Sequence, residues 1–280
     1  MYLPIEVLIR CVVALATISA IAPSGVSQPP GSPVQNGPAG QQAADLNTII
    51  NRLEKAQAEN RQHYRAYTVV REYRLFSKGN QTPRSEVTAE VSFVPPDTKT
   101  FQIEKATGIS RGEKITRSLL EHEVQAMKEP KQSSFLSRES YDFTYLGTGS
   151  VQGHLCYVLG LHPKYKRSNL VEGQAWIDQT TSLPRYTEGD LSKIPSWWLK
   201  KVHVKLFFDE LDGMWLETGT QAVAAVRWFG EHTFTSRTID FRAASSDAHQ
   251  RAAAASNARP NSKSKTTRPS GGNSIKKKQV

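Results

Sequence analysis

The sequence predicts an α+β fold, a strongly curved antiparallel sheet with two helices laid across it. Three observations predict it. From Ala66 to Phe241 apolar residues recur mostly at every second position, the period of a half-buried strand. Two further stretches carry apolar residues at spacings of three and four, the period of an amphipathic helix. Turn pairs such as Gly79-Asn80 and Asp212-Gly213 join neighbouring strand runs directly, which only antiparallel pairing allows.

The first helix is expected from Asp45, a good N-cap, to about His63, with Leu46, Ile49, Ile50, Leu53 and Ala56 on one stripe. Strands follow. Val69, Tyr73 and Leu75 share a face opposite Glu72 and Arg74, and Val87, Ala89, Val91 and Phe93 alternate with Thr88, Glu90 and Ser92. Pro95-Pro96-Asp97 ends that run, and Phe101 and Ile103 face one way in the next. The second helix is expected over Arg111 to Lys128, with Ile115, Leu119, Leu120, Val124 and Met127 on its stripe and Pro130 as its stop. Beyond it, Phe143 and Tyr145 lead into an expected turn, Gly147 to Gly153, and Leu155, Tyr157, Leu159 and Leu161 form a strand. A polar loop, Lys164 to Glu172, precedes strands at Gln174 to Gln179 and Leu183 to Glu188. Val202, Val204, Leu206 and Phe208 mark another; Met214 to Glu217, Val223 to Phe229 and His232 to Phe241 complete a meander. No repeat of 20–50 residues is visible.

The ends of the chain are of different character. A basic residue, Arg10, precedes the apolar run Cys11 to Ala22, and small residues follow to Ser27, the pattern of a secretory signal cleaved there. Twelve residues of helix reach about 18 Å, short of a hydrocarbon core of about 30 Å. Residues 28–44, rich in Pro, Gly and Gln, are expected to be a flexible linker, 45–242 the folded domain and 243–280 a disordered basic tail. That tail holds eight basic residues and one acid, so of a net charge of +10 only +3 belongs to the preceding 242 residues. The high isoelectric point is thus a property of the tail, which together with export argues against nucleic acid as a partner. Removing the signal leaves Cys156 as the one cysteine, so an internal disulfide is excluded, and a buried strand position is its expected place.

Catalytic patterns fail on spacing. His122-Glu123 has Ala126 where a zinc-protease helix needs its second His, and Ser150 has Thr148 and Gln152 where a nucleophile elbow needs glycines. Asp209, Glu210 and Asp212 straddle a hairpin, where acids are ordinarily solvated turn formers. His203 and His232 lie on expected strands as surface or partly packed residues. No cofactor, metal or enzymatic activity is expected. All five tryptophans fall between residues 176 and 228, and rings of this size ordinarily fill a core. Trp197-Trp198 fits that less well, because adjacent strand residues point to opposite faces and one ring is left for a mouth, rim or interface.

Leu161-His-Pro-Lys164, Gly173-Gln-Ala-Trp-Ile-Asp178, Thr181-Ser-Leu-Pro-Arg-Tyr-Thr-Glu-Gly189, Gly213-Met-Trp-Leu216 and Ile239-Asp-Phe241 together resemble the outer-membrane lipoprotein-sorting proteins. These form the LolA-like superfamily, with the lipoprotein carriers and the N-terminal domain of the MucB/RseB regulators. The resemblance covers roughly Asp45 to Ala243. It implies a half-open antiparallel β-barrel, with helices across its concave apolar face, that binds acyl chains or hydrophobic protein segments without catalysis. Candidate lining residues on the apolar faces are Val91, Phe93, Phe101, Ile103, Leu119, Met127, Trp176, Leu206, Phe208 and Trp228. The expected role is a periplasmic or envelope binding protein for lipid acyl chains or lipoproteins, with the basic tail available to an anionic envelope surface. The alternative is a regulatory envelope module that binds a protein partner, as in MucB/RseB.

Overall fold

The computed structural model describes residues 39–127, 136–167, 169–194, 197, 199–228 and 230–244. The expected signal sequence, most of the expected linker and the basic segment beyond Ala244 lie outside them. Among the described residues two helices, α1 (Ala39–Gln62) and α2 (Ser110–Met127), accompany ten strands. The strands are β1 (Tyr67–Ser77), β2 (Ser85–Val94), β3 (Thr98–Gly108), β4 (Tyr141–Val151) and β5 (His154–Pro163), then β6 (Val171–Asp178), β7 (Pro184–Leu191), β8 (Leu199–Leu211), β9 (Met214–Val226) and β10 (Gly230–Ala243). They form a single antiparallel sheet in the order β3-β2-β1-β10-β9-β8-β7-β6-β5-β4. The sheet does not close, so β3 and β4 are free edges and the fold is the half-open barrel the sequence led us to expect.

Both helices lie on the same face of the sheet. On α2, Ile115, Leu119 and Leu120 are buried against Val69 and Tyr73 of β1, Val87, Val91 and Phe93 of β2, and the apolar positions of β8 to β10. On α1, Ile49, Ile50 and Leu53 are buried against Tyr141, Leu159, Leu161, Ala175 and Ile177 of β4 to β6. Val171, in phase with Ala175 and Ile177 along β6, belongs to the α2 core and makes the two apolar regions one continuous face. The end of α1 is fixed by hydrogen bonds in both directions with the backbone of Trp215. The Asn60 amide donates to its carbonyl at 2.9 Å and accepts from its N–H at 2.8 Å.

Three boundaries differ from the sequence expectation. Helix α1 starts at Ala39, so Asp45 lies inside it rather than capping it; Ala and Gln are good helix formers and let the helix run on. The expected turn from Gly147 to Gly153 is mostly strand. Gly147 is a bulge at φ 117°, β4 continues to Val151, and only Gln152 (φ 51°) and Gly153 (φ 83°) turn the chain. The run Met214 to Glu217 and the residues Val223 to Val226 are parts of one long strand, β9, because Gly219 and Thr220 pair with Phe207 and Leu206 of β8 and the strand continues through a bulge at Thr218.

Candidate functional site

The helix-covered face gathers most of the residues chosen from the sequence. Val91, Phe93, Leu119, Leu206 and Phe208 are buried in the α2 core. Phe101 and Ile103 on edge strand β3 are half-buried and pack against its margin. Met127 is the last residue of α2, and its side chain lies outside the described residues. Two choices lie away from that face. Trp176 points to the opposite face, since its neighbours Ala175 and Ile177 take the inward positions, and it stacks on Tyr186 with ring centroids 4.9 Å apart. Trp228 stands in the β9–β10 turn, 76% exposed, at a positive φ of 66° that takes it out of strand alternation.

Beneath α2 the apolar face contains charges that the strand patterns did not reveal as a group. Arg71 on β1, Lys99 on β3, Glu123 on α2 and Glu217 on β9 are all buried. Glu123 pairs with Lys99 and lies 3.6 Å from the Arg71 guanidinium, so one helix carboxylate engages two strands. The Thr220 hydroxyl donates to Glu217. Burial works most strongly against the charge on Arg71, but Glu123 with Tyr73, Glu217 and Tyr67 together outweigh it and hold its pKa above the ordinary value. Burial pulls the Lys99 ammonium pKa down, and Glu123 restores it only in part. Glu123 Oε1 has no hydrogen-bond partner among the described residues. The signal was phase. Arg71 is in register with Val69 and Tyr73, Lys99 with Phe101 and Ile103, and Glu123 follows Leu119 and Leu120 on the α2 stripe.

The acids at the other end of the sheet are held in place. The Asp178 carboxylate accepts from Arg185 Nε at 2.6 Å and from the Thr180 and Thr181 N–H groups at 2.8 and 2.9 Å. Burial alone would raise the Asp178 pKa; Arg185 and the two N–H groups turn the shift downward. Arg185 also reaches Asp209 at 3.2 Å and lies 4.8 Å from the ring centre of Trp215. The Trp-Ile-Asp strand and the Pro-Arg turn are thus two halves of one structural corner. Asp212 pairs with Arg65, and His203 with Asp190 at 3.0 Å. Cys156 is buried and free, and burial pushes its thiol up to about 11. Among the described residues, no group of three or more His, Cys, Asp or Glu side chains could hold a metal ion, and no helix is long and apolar enough to cross a membrane.

No protein-family model matches the chain, and no curated protein does. Among solved structures it is similar to a LolA superfamily protein from Nitrosomonas europaea, with 13% identity, a TM-score of 0.37, and 71% of this chain and 93% of that one covered. An outer-membrane lipoprotein-sorting protein domain from Vibrio parahaemolyticus gives 14%, a TM-score of 0.38, and coverage of 72% and 96%. The MucA/MucB complex of Pseudomonas aeruginosa gives 13%, 0.26, and 72% and 100%. These are the groups that the sequence resembles; likeness of this degree bears on neither ligand nor mechanism.

Proposed function

We propose that this chain is an exported, non-catalytic binding protein for lipid acyl chains or lipoproteins, and that the chain-binding face is the one under α2. The observation that carries this reading is the half-buried pair Phe101 and Ile103. They lie on a free sheet edge and lead without a break into a wide apolar face whose cover is a single helix. As α2 lifts, Ile115, Leu119 and Leu120 leave the core, which costs about 1.5–3 kcal/mol for each side chain. An acyl chain entering in their place contributes about 0.8 kcal/mol for each buried methylene, so about six to eleven methylenes offset the loss of those three side chains from the core. Lifting α2 also parts Glu123 from Lys99 and Arg71, so the acyl chain must lie where it leaves these groups in contact with water. The signal-like N-terminus and the resemblance to lipoprotein-sorting proteins support the envelope as its place of work.

The test is binding of a fluorescent fatty acid to the exported protein, with unlabelled lipid as competitor. Phe101→Asp puts a charge at the margin of the apolar face and is expected to weaken binding at least tenfold, while its half-exposed position spares the fold. Failure of the unaltered protein to bind any acyl probe would refute the proposal and leave a protein partner as the ligand.

A further inference from the structure

In this antiparallel order, the direct strand-to-strand connections 78–84, 164–170, 192–198 and 227–229 all fall at one end of the sheet. Those four segments contain seven basic residues and no acid: Lys78 and Arg84 in the first, Lys164, Lys166 and Arg167 in the second, Lys193 in the third and Arg227 in the fourth. The hairpin connections at the opposite end, 95–97, 152–153, 179–183 and 212–213, contain Asp97 and Asp212 and no base. The basic end also carries four of the large exposed apolar side chains: Trp197 (75%), Trp228 (76%), Tyr165 (53%) and Ile194 (39%).

These groups form one rim rather than scattered tips. The rings of Trp197 and Trp228, from different connections, meet edge to face with centroids 6.0 Å apart. The Ser192 hydroxyl donates to the Arg167 carbonyl at 2.7 Å and ties the third connection to the second. Arg167 lies 5.3 Å from the Tyr165 ring centre. The Lys78 side chain passes 3.6 Å from where a β-carbon on Gly230 would stand, which brings the first connection to the fourth. Two tryptophans packed on each other yet almost fully in water contribute nothing to the core, so their apolar area is unspent in the monomer.

We propose that this rim docks the protein on the surface of an anionic lipid bilayer, with Trp197 and Trp228 at headgroup depth and the basic residues against lipid phosphates. Indole rings favour the membrane interface because one edge is polar and the rest apolar. Clustered Lys and Arg are drawn to anionic headgroups, within a range that salt shortens. Acids border this end at Glu139, Asp142 and Glu231, and Lys164 pairs with Asp142 at 3.4 Å, but four connections with seven cations and no acid of their own suit a continuous negative surface better than a single acidic side chain on a protein. The surface stands on its own residues and does not depend on acyl-chain binding under α2.

The experiment uses the full chain with vesicles of phosphatidylcholine containing phosphatidylglycerol, against phosphatidylcholine alone, and reads both sedimentation and quenching of tryptophan emission by brominated lipid. Three variants are compared: Trp197→Ser/Trp228→Ser, Lys193→Glu/Arg227→Glu, and a tail variant with Lys276, Lys277 and Lys278 changed to Gln. The exposed rim positions leave melting unchanged in the first two variants. The unaltered protein is expected to bind only the anionic vesicles, less at higher salt, with strong quenching. Either rim variant is expected to lower partitioning by about tenfold or more, and the tryptophan variant to lose the quenching even where the tail still adsorbs. The proposal is overturned if bromolipid leaves the emission untouched or if only the tail variant loses binding. It is overturned equally if the tryptophan pair proves to hold a dimer that Trp197→Ser/Trp228→Ser dissolves.

Discussion

Replacing Glu123 by Ala removes the one carboxylate that joins α2 to both β1 and β3. Lys99 and Arg71 are buried, so the substitution strands two cations in an apolar setting rather than returning them to water. Breaking a buried pair in this way costs about 3–5 kcal/mol. In a folded region of this size each kcal/mol moves the melting temperature by about 2–4 °C, so a fall of about 10 °C is expected. The double variant Lys99→Met/Glu123→Leu removes one charge of each sign and leaves Arg71 with Glu217, and it is expected to recover most of the loss. The pH dependence gives an independent check. The Lys99 pKa is lowered in the folded protein, so over the window between its folded and unfolded values the unfolded chain binds more protons and stability rises with pH. Without Glu123 that window extends to lower pH. Thermal melting by circular dichroism from neutral to alkaline pH measures both effects. A loss below about 1 kcal/mol in Glu123→Ala, or a double variant as unstable as the single, would show that the charges are solvated and that α2 is not clasped in this way.

Other consequences are as direct. Asp178→Asn leaves Arg185 without its buried partner and is expected to cost about 3 kcal/mol in chemical denaturation. Because the folded Asp178 pKa lies below its ordinary value, its contribution is complete at neutral pH and is lost as pH falls through the folded value; acid denaturation of the Asn variant should therefore be shallower. Cys156 should resist thiol reagents until the protein is denatured, and its raised pKa means that stability declines as pH rises from about 9 towards about 11, where only the unfolded chain ionises. N-terminal sequencing of protein recovered from a cell envelope should read from near Gln28, whereas intact Met1 in a cytoplasmic fraction would remove the case for export.

The local periods of the chain already contain the strands, the two helices and their inward faces. Alternation of Val87, Ala89, Val91 and Phe93, and the α2 stripe through Ile115, Leu119 and Leu120, are short-range patterns, and each is buried as its period requires. The Asp212-Gly213 hairpin is equally local, since a two-residue turn at positive φ favours these residues. What tertiary structure alone decided is which distant residues meet. Arg71, Lys99 and Glu123 each look like a lone charge in an apolar phase, and only the packing of α2 over β1 and β3 makes them a single network. Trp176 and Trp228 were indistinguishable from core tryptophans, because packing decides which phase of β6 faces inward, and Trp228 stands in a turn at positive φ where strand alternation does not apply. The basic rim was hidden for a related reason. Its charges and rings come from four connections far apart in the chain, and only the order of strands in the sheet brings them to one end.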